Sequence, residues 1–366
     1  MRVPSVAQSV PQQKLLVAAV ATACALPAAA LAQLPAGVEV YGRANVSYER
    51  ITVDSTPSVT NWEAVDNSSR IGVRGRKDLG DGLSGFFQVE SRVRLDSGGD
   101  TLSSRDSYLG MQGGFGTVRV GRTIGPVYYA TYDYISNHNH DTGTSSDALL
   151  APTVFGNQGF MNNTLWYSSP KLGPFTFDVA LSRLDEARVG SLSQPQYLGL
   201  VGAYDQGPLH VAVSHANTKD DRDLTGGGKG SNDTATTIGG LYDWNKKVII
   251  GALYETAKND LATGSAKRNY FRVSVMVPVD KHEFHFNLGS VNHRLDQNAS
   301  DDGAKQWTLG YNYNIDKQFK VYAFYTVVDN EANSANPTQG GNYGFASTTG
   351  PGIDNKSLAV GARYNF

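Results

Sequence analysis

Apolar and polar residues alternate with a period of two along nearly the whole chain after residue 37. Val38, Val40, Gly42, Ala44, Val46 and Tyr48 share one parity, and Glu39, Tyr41, Arg43, Asn45 and Ser47 share the other. Phe87, Val89, Val93 and Leu95 oppose Gln88, Glu90, Arg92 and Arg94; Val321, Ala323, Tyr325 and Val327 oppose Lys320, Tyr322, Phe324 and Thr326. Side chains two apart in a strand share a face, so each segment predicts a β-strand with one apolar and one polar side. The final segment places Leu358, Val360, Ala362, Tyr364 and Phe366 on one face and Ser357, Ala359, Gly361, Arg363 and Asn365 on the other. An amphipathic strand running to a terminal aromatic is expected to pair with the first strand, because closure removes the sheet edge.

Between the strands, two kinds of connection take turns. Tight turns are signalled at Gly80-Asp81-Gly82, Gly113-Gly114-Phe115-Gly116, Pro170-Lys171-Leu172-Gly173-Pro174, Asp205-Gln206-Gly207-Pro208, Asp243-Trp244-Asn245-Lys246, Val279-Asp280-Lys281 and Asn314-Ile315-Asp316-Lys317. Longer loops rich in Gly, Ser, Asn and Asp fall near 53–66, 96–104, 124–162, 185–197, 218–233, 259–266, 296–304 and 330–355. Seven turns and eight loops join sixteen strands. Short turns at one end and long loops at the other predict an all-β fold, a sixteen-stranded antiparallel transmembrane β-barrel.

A soluble sandwich would show the same alternation with its apolar face buried. The front of the chain favours the membrane. Lys14 precedes an apolar run, 15–32, that closes in Ala30-Leu31-Ala32, so residues 1–32 read as a signal peptide cleaved before Gln33, leaving 33–366 as the barrel domain. Cys24, the only cysteine, would leave with it, so no disulfide is expected. Tyr48, Tyr108, Tyr167, Tyr204, Tyr242, Trp244, Trp307, Tyr325 and Tyr364 are candidates for interfacial aromatic girdles. The mean hydropathy of −0.33 is compatible with a barrel, in which only alternate residues meet lipid. Cleavage would remove two of the 32 basic residues, Arg2 and Lys14, and none of the 34 acidic ones, leaving a net charge of about −4. That balance gives no support for nucleic-acid binding.

Several stretches resemble a known family. Ser69-Arg70-Ile71-Gly72-Val73-Arg74-Gly75, Asp78-Leu79-Gly80-Asp81-Gly82-Leu83 and Phe87-Gln88-Val89-Glu90 resemble the second and third strands of Gram-negative general porins of the beta-proteobacterial type. The block from Gly113 to Arg122, Asn162-Asn163-Thr164-Leu165-Trp166-Tyr167-Ser168-Ser169-Pro170 and the terminal Phe366 extend the resemblance along the chain. It implies an outer-membrane homotrimer of barrels for passive diffusion of small hydrophilic solutes and ions, with no enzymatic activity and no cofactor or metal. It also implies contact with outer-membrane lipid and lipopolysaccharide, and assembly by the barrel-assembly machinery, for which Tyr364 and Phe366 would be the signal. The third loop, here 124–162, would fold into the pore and present acids to a basic wall.

That loop carries Asp133, Asp141 and Asp147, and no Lys or Arg lies between Arg122 and Lys171. By strand parity the wall would be Arg43, Arg70, Arg74, Arg92, Arg94 and Arg119. The alternative for each arginine is a lumen side chain paired with a neighbouring acid such as Glu39 or Glu90. Two departures weigh against a strong anion preference. Phe160-Met161 stands where relatives often have an arginine, and Arg105-Asp106 replaces a basic pair, with parity sending Asp106, Tyr108 and Gln112 inward and Arg105 outward. A weaker preference or a narrower, substrate-specific pore stays open.

Rival readings are weaker. An outer-membrane hydrolase would need Ser290 with His285 or His293, yet parity points Ser290 away from both. His138, His140 and Asp141 match metal-ligand rules poorly. Gly226-Gly227-Gly228-Lys229-Gly230 lacks phosphate-loop spacing. An adhesin or receptor barrel, working through its loops, would conduct no current.

Overall fold

The computed structural model describes residues 37–99, 101–133, 135, 149, 159–183, 192–292, 301–336 and 350–366. The expected signal peptide lies outside the described residues, as do Asp141, Asp147, His138, His140 and His293. The chain divides into residues 1–39, of which only 37–39 are described, and residues 40–366, the barrel.

Seventeen strand segments form one antiparallel sheet that closes on itself. They are β1 (Val38–Val53), β2 (Val59–Asp66), β3 (Arg70–Gly80), β4 (Leu83–Arg92), β5 (Ser107–Gly113), β6 (Gly116–Thr123), β7 (Met161–Ser168), β8 (Phe175–Arg183) and β9 (Gln196–Gln206). There follow β10 (Leu209–Asp223), β11 (Gly230–Trp244), β12 (Val248–Asp260), β13 (Ser265–Val279), β14 (His282–Val291), β15 (Ala304–Asn314), β16 (Phe319–Asn330) and β17 (Asn355–Asn365). Segments β2 and β3 both pair with β1 and make one spanning strand, so sixteen strands complete the barrel. The break falls at Asn67–Ser69, where Ser68 has φ 65°. Polar side chains carry the ladder across it. Asn45 Nδ2 donates to Asn67 O (2.9 Å), Asn45 N to Ser69 Oγ (2.9 Å), and Tyr322 OH reaches Asn45 Oδ1 (2.9 Å) across the lumen face.

All seven predicted turns sit at strand junctions. Gly80 and Gly82 take positive φ (90° and 73°) and Asp81 reaches 51°, a conformation that favours glycine. In the turn before β16, Asp316 Oδ1 accepts the N–H groups of Gln318 and Phe319, each at 2.8 Å. Those bonds, Phe319's first, hold its carboxyl below the usual range. The turn keeps this cap above that lowered value and loses it as pH falls through it.

Several loops are shorter than the sequence suggests. β1 runs 16 residues, and β10, β11 and β13 run 15 each. Polar Thr, Asn and Asp residues near 59–66, 218–233 and 259–266 read as loop, but they continue the ladders beyond the apolar belt, where both faces meet polar surroundings. Closure is made at the last residue: Ala44 pairs with Tyr364, Gly42 N donates to Phe366 O (2.9 Å) and Phe366 N to Gly42 O (3.1 Å).

The barrel is inside out relative to a soluble sandwich. Asn45, Ser47, Thr237, Gln306, Thr308, Asn312, Thr326 and Ser357 are buried on the inner face, while Leu109, Val120, Leu165, Ile238, Leu309 and Val360 are exposed on the outer one. That polarity requires an apolar medium outside. Aromatics gather outward in two bands. Tyr167, Tyr204, Tyr242, Trp244 and Tyr364 lie toward the turn end; Tyr48, stacked on Trp62, and Trp307, against Tyr325, lie toward the loop end. Tyr108 departs from the girdle expectation: it faces the lumen, where its hydroxyl donates to Gln88 Oε1 (3.2 Å).

Candidate functional site: the narrowed lumen

The start of the long loop folds into the barrel. Ile124, Val127, Thr131, Tyr132 and Ile135 are buried, and a π-helical turn, Tyr128–Asp133, touches β10 and β11. The wall supplies specific anchors. His210 Nε2 bonds Ala130 O (2.9 Å) while its Nδ1 lies 2.7 Å from Asp205 Oδ1. Tyr132 OH donates to Glu255, which also accepts from Thr237 Oγ1 at 2.8 Å, and Ser274 Oγ donates to Ile135 O. The wall also makes room. Ala212, Ala216, Ala235 and Ala257 face the loop with small side chains, and a Cβ on Gly251 would stand 2.8 Å from Ile135 Cγ2 and 3.0 Å from Ile135 O. Nearer its origin the loop is tied to Asp106, which accepts from Tyr129 OH and from Ile124 N (3.0 Å). The Tyr129 ring stacks on Trp166 with centroids 6.2 Å apart.

The predicted arginines come from β1–β6, and Glu90 lies among them. Arg70 and Arg92 are cross-strand partners on β3 and β4, and Glu90 lies one inward step below Arg92. Glu90, 6 % exposed, receives Arg105 Nε, the Tyr41 hydroxyl (2.9 Å) and, at 3.9 Å, Arg70 Nε. Arg74 stacks over Tyr41 at 4.7 Å, and Arg43 Nε donates to Asn365 Oδ1 (3.1 Å). Arg94 sits past the end of β4, its carbonyl accepting from Gly98 N. Arg119 on β6 lies 3.9 Å over Trp166 and 5.3 Å from the Tyr108 ring centre. Asp133 ends the π-helical turn inside the barrel. Tyr364 packs against Phe319 and Phe366 at the turn end.

Arg105 corrects the parity reading: it turns inward, to Glu90 and to Ser68 Oγ (3.1 Å). β5 begins only at Ser107, so strand alternation does not extend back to residue 105. Trp166 was also missed as a site residue, although Thr164 and Trp166 share the inner parity of β7 against Leu165 and Tyr167. An aromatic on a polar face, one strand from an arginine, was the signal. Ser290 and His285 lie on opposite faces of β14: Ser290 opens outward beside Phe271 and Lys305, and His285 is buried at Asn312 (3.2 Å). Among the described residues no cluster of three potential metal ligands occurs.

A closed barrel with an apolar exterior, a polar lumen and a loop folded against the inner wall is a membrane pore. Comparison with known proteins agrees. Residues 17–333 match the Gram-negative porin family. Outer membrane porin protein 32 of Delftia acidovorans is 27 % identical over 358 residues, covering 92 % of this chain and 98 % of that protein. The anion-selective porin from Comamonas acidovorans superposes with a TM-score of 0.75 at 23 % identity, over 90 % of this chain and 99 % of its own. A trimer form of the outer membrane protein OmpT of Vibrio cholerae gives 0.64 at 19 % identity, over 90 % and 99 %. The chain belongs to the Gram-negative porin family and is an outer-membrane channel.

Proposed function

We propose that this porin is a diffusion channel with a preference for small anions, set by the arginines of β1–β6. One observation carries the reading: Arg43, Arg70, Arg74, Arg92, Arg94, Arg105 and Arg119 all come from β1–β6 and their connections, and two of them, Arg70 and Arg105, meet at the buried carboxylate of Glu90. Like charges on one side of a low-dielectric pore raise the local concentration of counter-ions. The anion-selective relative from Comamonas acidovorans supports the same direction. The acids of the long loop, Asp133, Asp141 and Asp147, are proposed as the counter-charges of this wall.

The chain acts as a homotrimer, as the trimer form of the Vibrio cholerae relative suggests, in contact with lipopolysaccharide and outer-membrane lipid. It is delivered with a signal peptide, residues 1–32, and assembled through Tyr364 and Phe366 by the barrel-assembly machinery. It has no catalytic function. The test is the purified protein in planar bilayers under a KCl gradient. Open-channel steps with a reversal potential toward that of chloride are expected. Silence would favour an adhesin or receptor barrel, and a potential toward that of potassium would overturn the anion preference.

A further inference from the structure

A continuous series of stacked side chains crosses the lumen of this barrel. It begins on β4, where Phe86 meets Tyr108 of β5 edge to face, with centroids 6.2 Å apart. The Arg119 guanidinium of β6 stands 5.3 Å from the Tyr108 ring centre and 3.9 Å from that of Trp166 on β7. Trp166 stacks on Tyr129 of the inserted loop at 6.2 Å and 17°. Tyr129 meets Tyr128 at 5.7 Å, and Tyr128 meets Tyr132 at 6.2 Å. Tyr132 ends the series by donating its hydroxyl to Glu255 on β12. With β2 and β3 counted as one, β4 and β12 are the third and eleventh of sixteen strands and stand on opposite walls.

The local sequence builds the series. Arg119 is cross-strand partner to Gly110 on β5 and to Trp166 on β7. Gly110 is needed for the ring beside it, because a Cβ there would lie 2.3 Å from Phe86 Cζ. Trp166 is fixed from the other side, its Nε1 donating to Asp178 Oδ1 (2.8 Å). The Nε of Arg119 is buried and has no acceptor. Its guanidinium is thus placed for stacking at the expense of a hydrogen bond, which is costly for a buried donor. A guanidinium is planar and covers ring faces, whereas a lysine ammonium has no face to offer.

We propose that Arg119 and Trp166 are positioning residues that hold the inserted loop steady across the lumen, and through it set the size limit of the passage for uncharged solutes. Arg119 acts here as a planar spacer between Tyr108 and Trp166, a role separate from its charge. Hydrogen bonds from His210, Glu255 and Ser274 hold the loop to β10, β12 and β13. On the facing side, the Trp166 ring and Asp106 hold Tyr129. Without the ring contact the turn Tyr128–Asp133 pivots on its remaining anchors, and the gap beside it fluctuates. The inference goes beyond ion preference and holds for a channel of either sign.

Single-channel recording in symmetric KCl, with neutral polyethylene glycols of graded size as probes of width, tests this. The wild type shows a quiet open level and a sharp polymer size limit. Trp166→Leu raises open-channel current noise roughly two- to tenfold, the effect of losing one aromatic contact, and broadens the size limit. Trp166→Phe stays closer to wild type because a ring face is retained. Arg119→Lys keeps the charge and loses the plane; it shows the same rise in noise with the reversal potential of wild type. Heat-resistant barrels on gels establish that each variant is folded, and Arg119→Lys carries the test where Trp166→Leu does not fold. Wild-type noise and size limit in folded Trp166→Leu overturn the proposal. An Arg119→Lys channel as quiet as wild type overturns the spacer role, and equal effects of Trp166→Leu and Trp166→Phe overturn the stacking. Noise and polymer exclusion do not depend on ion preference, so the anion reading can fail without this one failing.

Discussion

Glu90 is the residue on which the charge of the wall turns. One buried carboxylate serves Arg105, Arg70 and the Tyr41 hydroxyl, so removing its charge releases two guanidinia at once. Glu90→Gln should therefore move the reversal potential further toward that of chloride. The same change should lower stability by on the order of 1–3 kcal/mol, read as an earlier loss of the folded form on heated gels. An unchanged potential would mean that Glu90 lies outside the conducting path. Residue by residue, the sequence disclosed which arginines share a parity but not how each is held. Parity reports a direction for Cβ and applies only inside a ladder. It therefore placed Arg70, Arg74 and Arg119 inward and failed at Arg105, two residues before β5. The aromatic partners belong to other strands, and only the register of β1, β5 and β7 brings Tyr41, Tyr108 and Trp166 to them.

At the scale of elements, the inserted loop and the closing strand carry the predictions. The loop depends on glycine where it touches β12. A side chain at Gly251 would meet Ile135 O and Ser274 Oγ within 3.0 Å, and overpacking of this kind costs about 1–3 kcal/mol. Gly251→Val should push the loop off the wall into the lumen and reduce single-channel conductance; wild-type conductance would contradict this packing. Phe366→Ala keeps the backbone pair with Gly42 but loses the ring that packs on Tyr364 and covers Gly42. Lower yield of heat-resistant trimers in the outer membrane is expected, and normal yield would count against the assembly role. Strand existence, order and turn positions were legible because alternation and turn chemistry are local. Strand ends were not, since a polar hairpin above the membrane belt has the composition of a loop. The interruption at Asn67–Ser69 was equally hidden, because the side chains that bridge it come from β1 and β16.

For the whole molecule, the barrel class was legible from alternation, connection lengths and the resemblance together. The pore's preference was not, because it depends on which charges remain uncancelled once the strands are in register. Charges lining a lumen act over a Debye length, about 10 Å at 0.1 M salt and about 3 Å at 1 M. A selectivity set by the wall must therefore weaken at high salt. The most direct measurement is the reversal potential of the Arg70→Gln/Arg74→Gln double variant in KCl gradients at low and at high salt, with Lys229→Gln as a loop-tip control. The Lys229 ammonium donates to carbonyls of the neighbouring loop, Leu261 O and Ala262 O. The double variant should shift toward cation preference, more at low salt than at high, and Lys229→Gln should shift much less. A double variant that matches wild type at low salt would contradict the assignment of the β1–β6 arginines to the constriction.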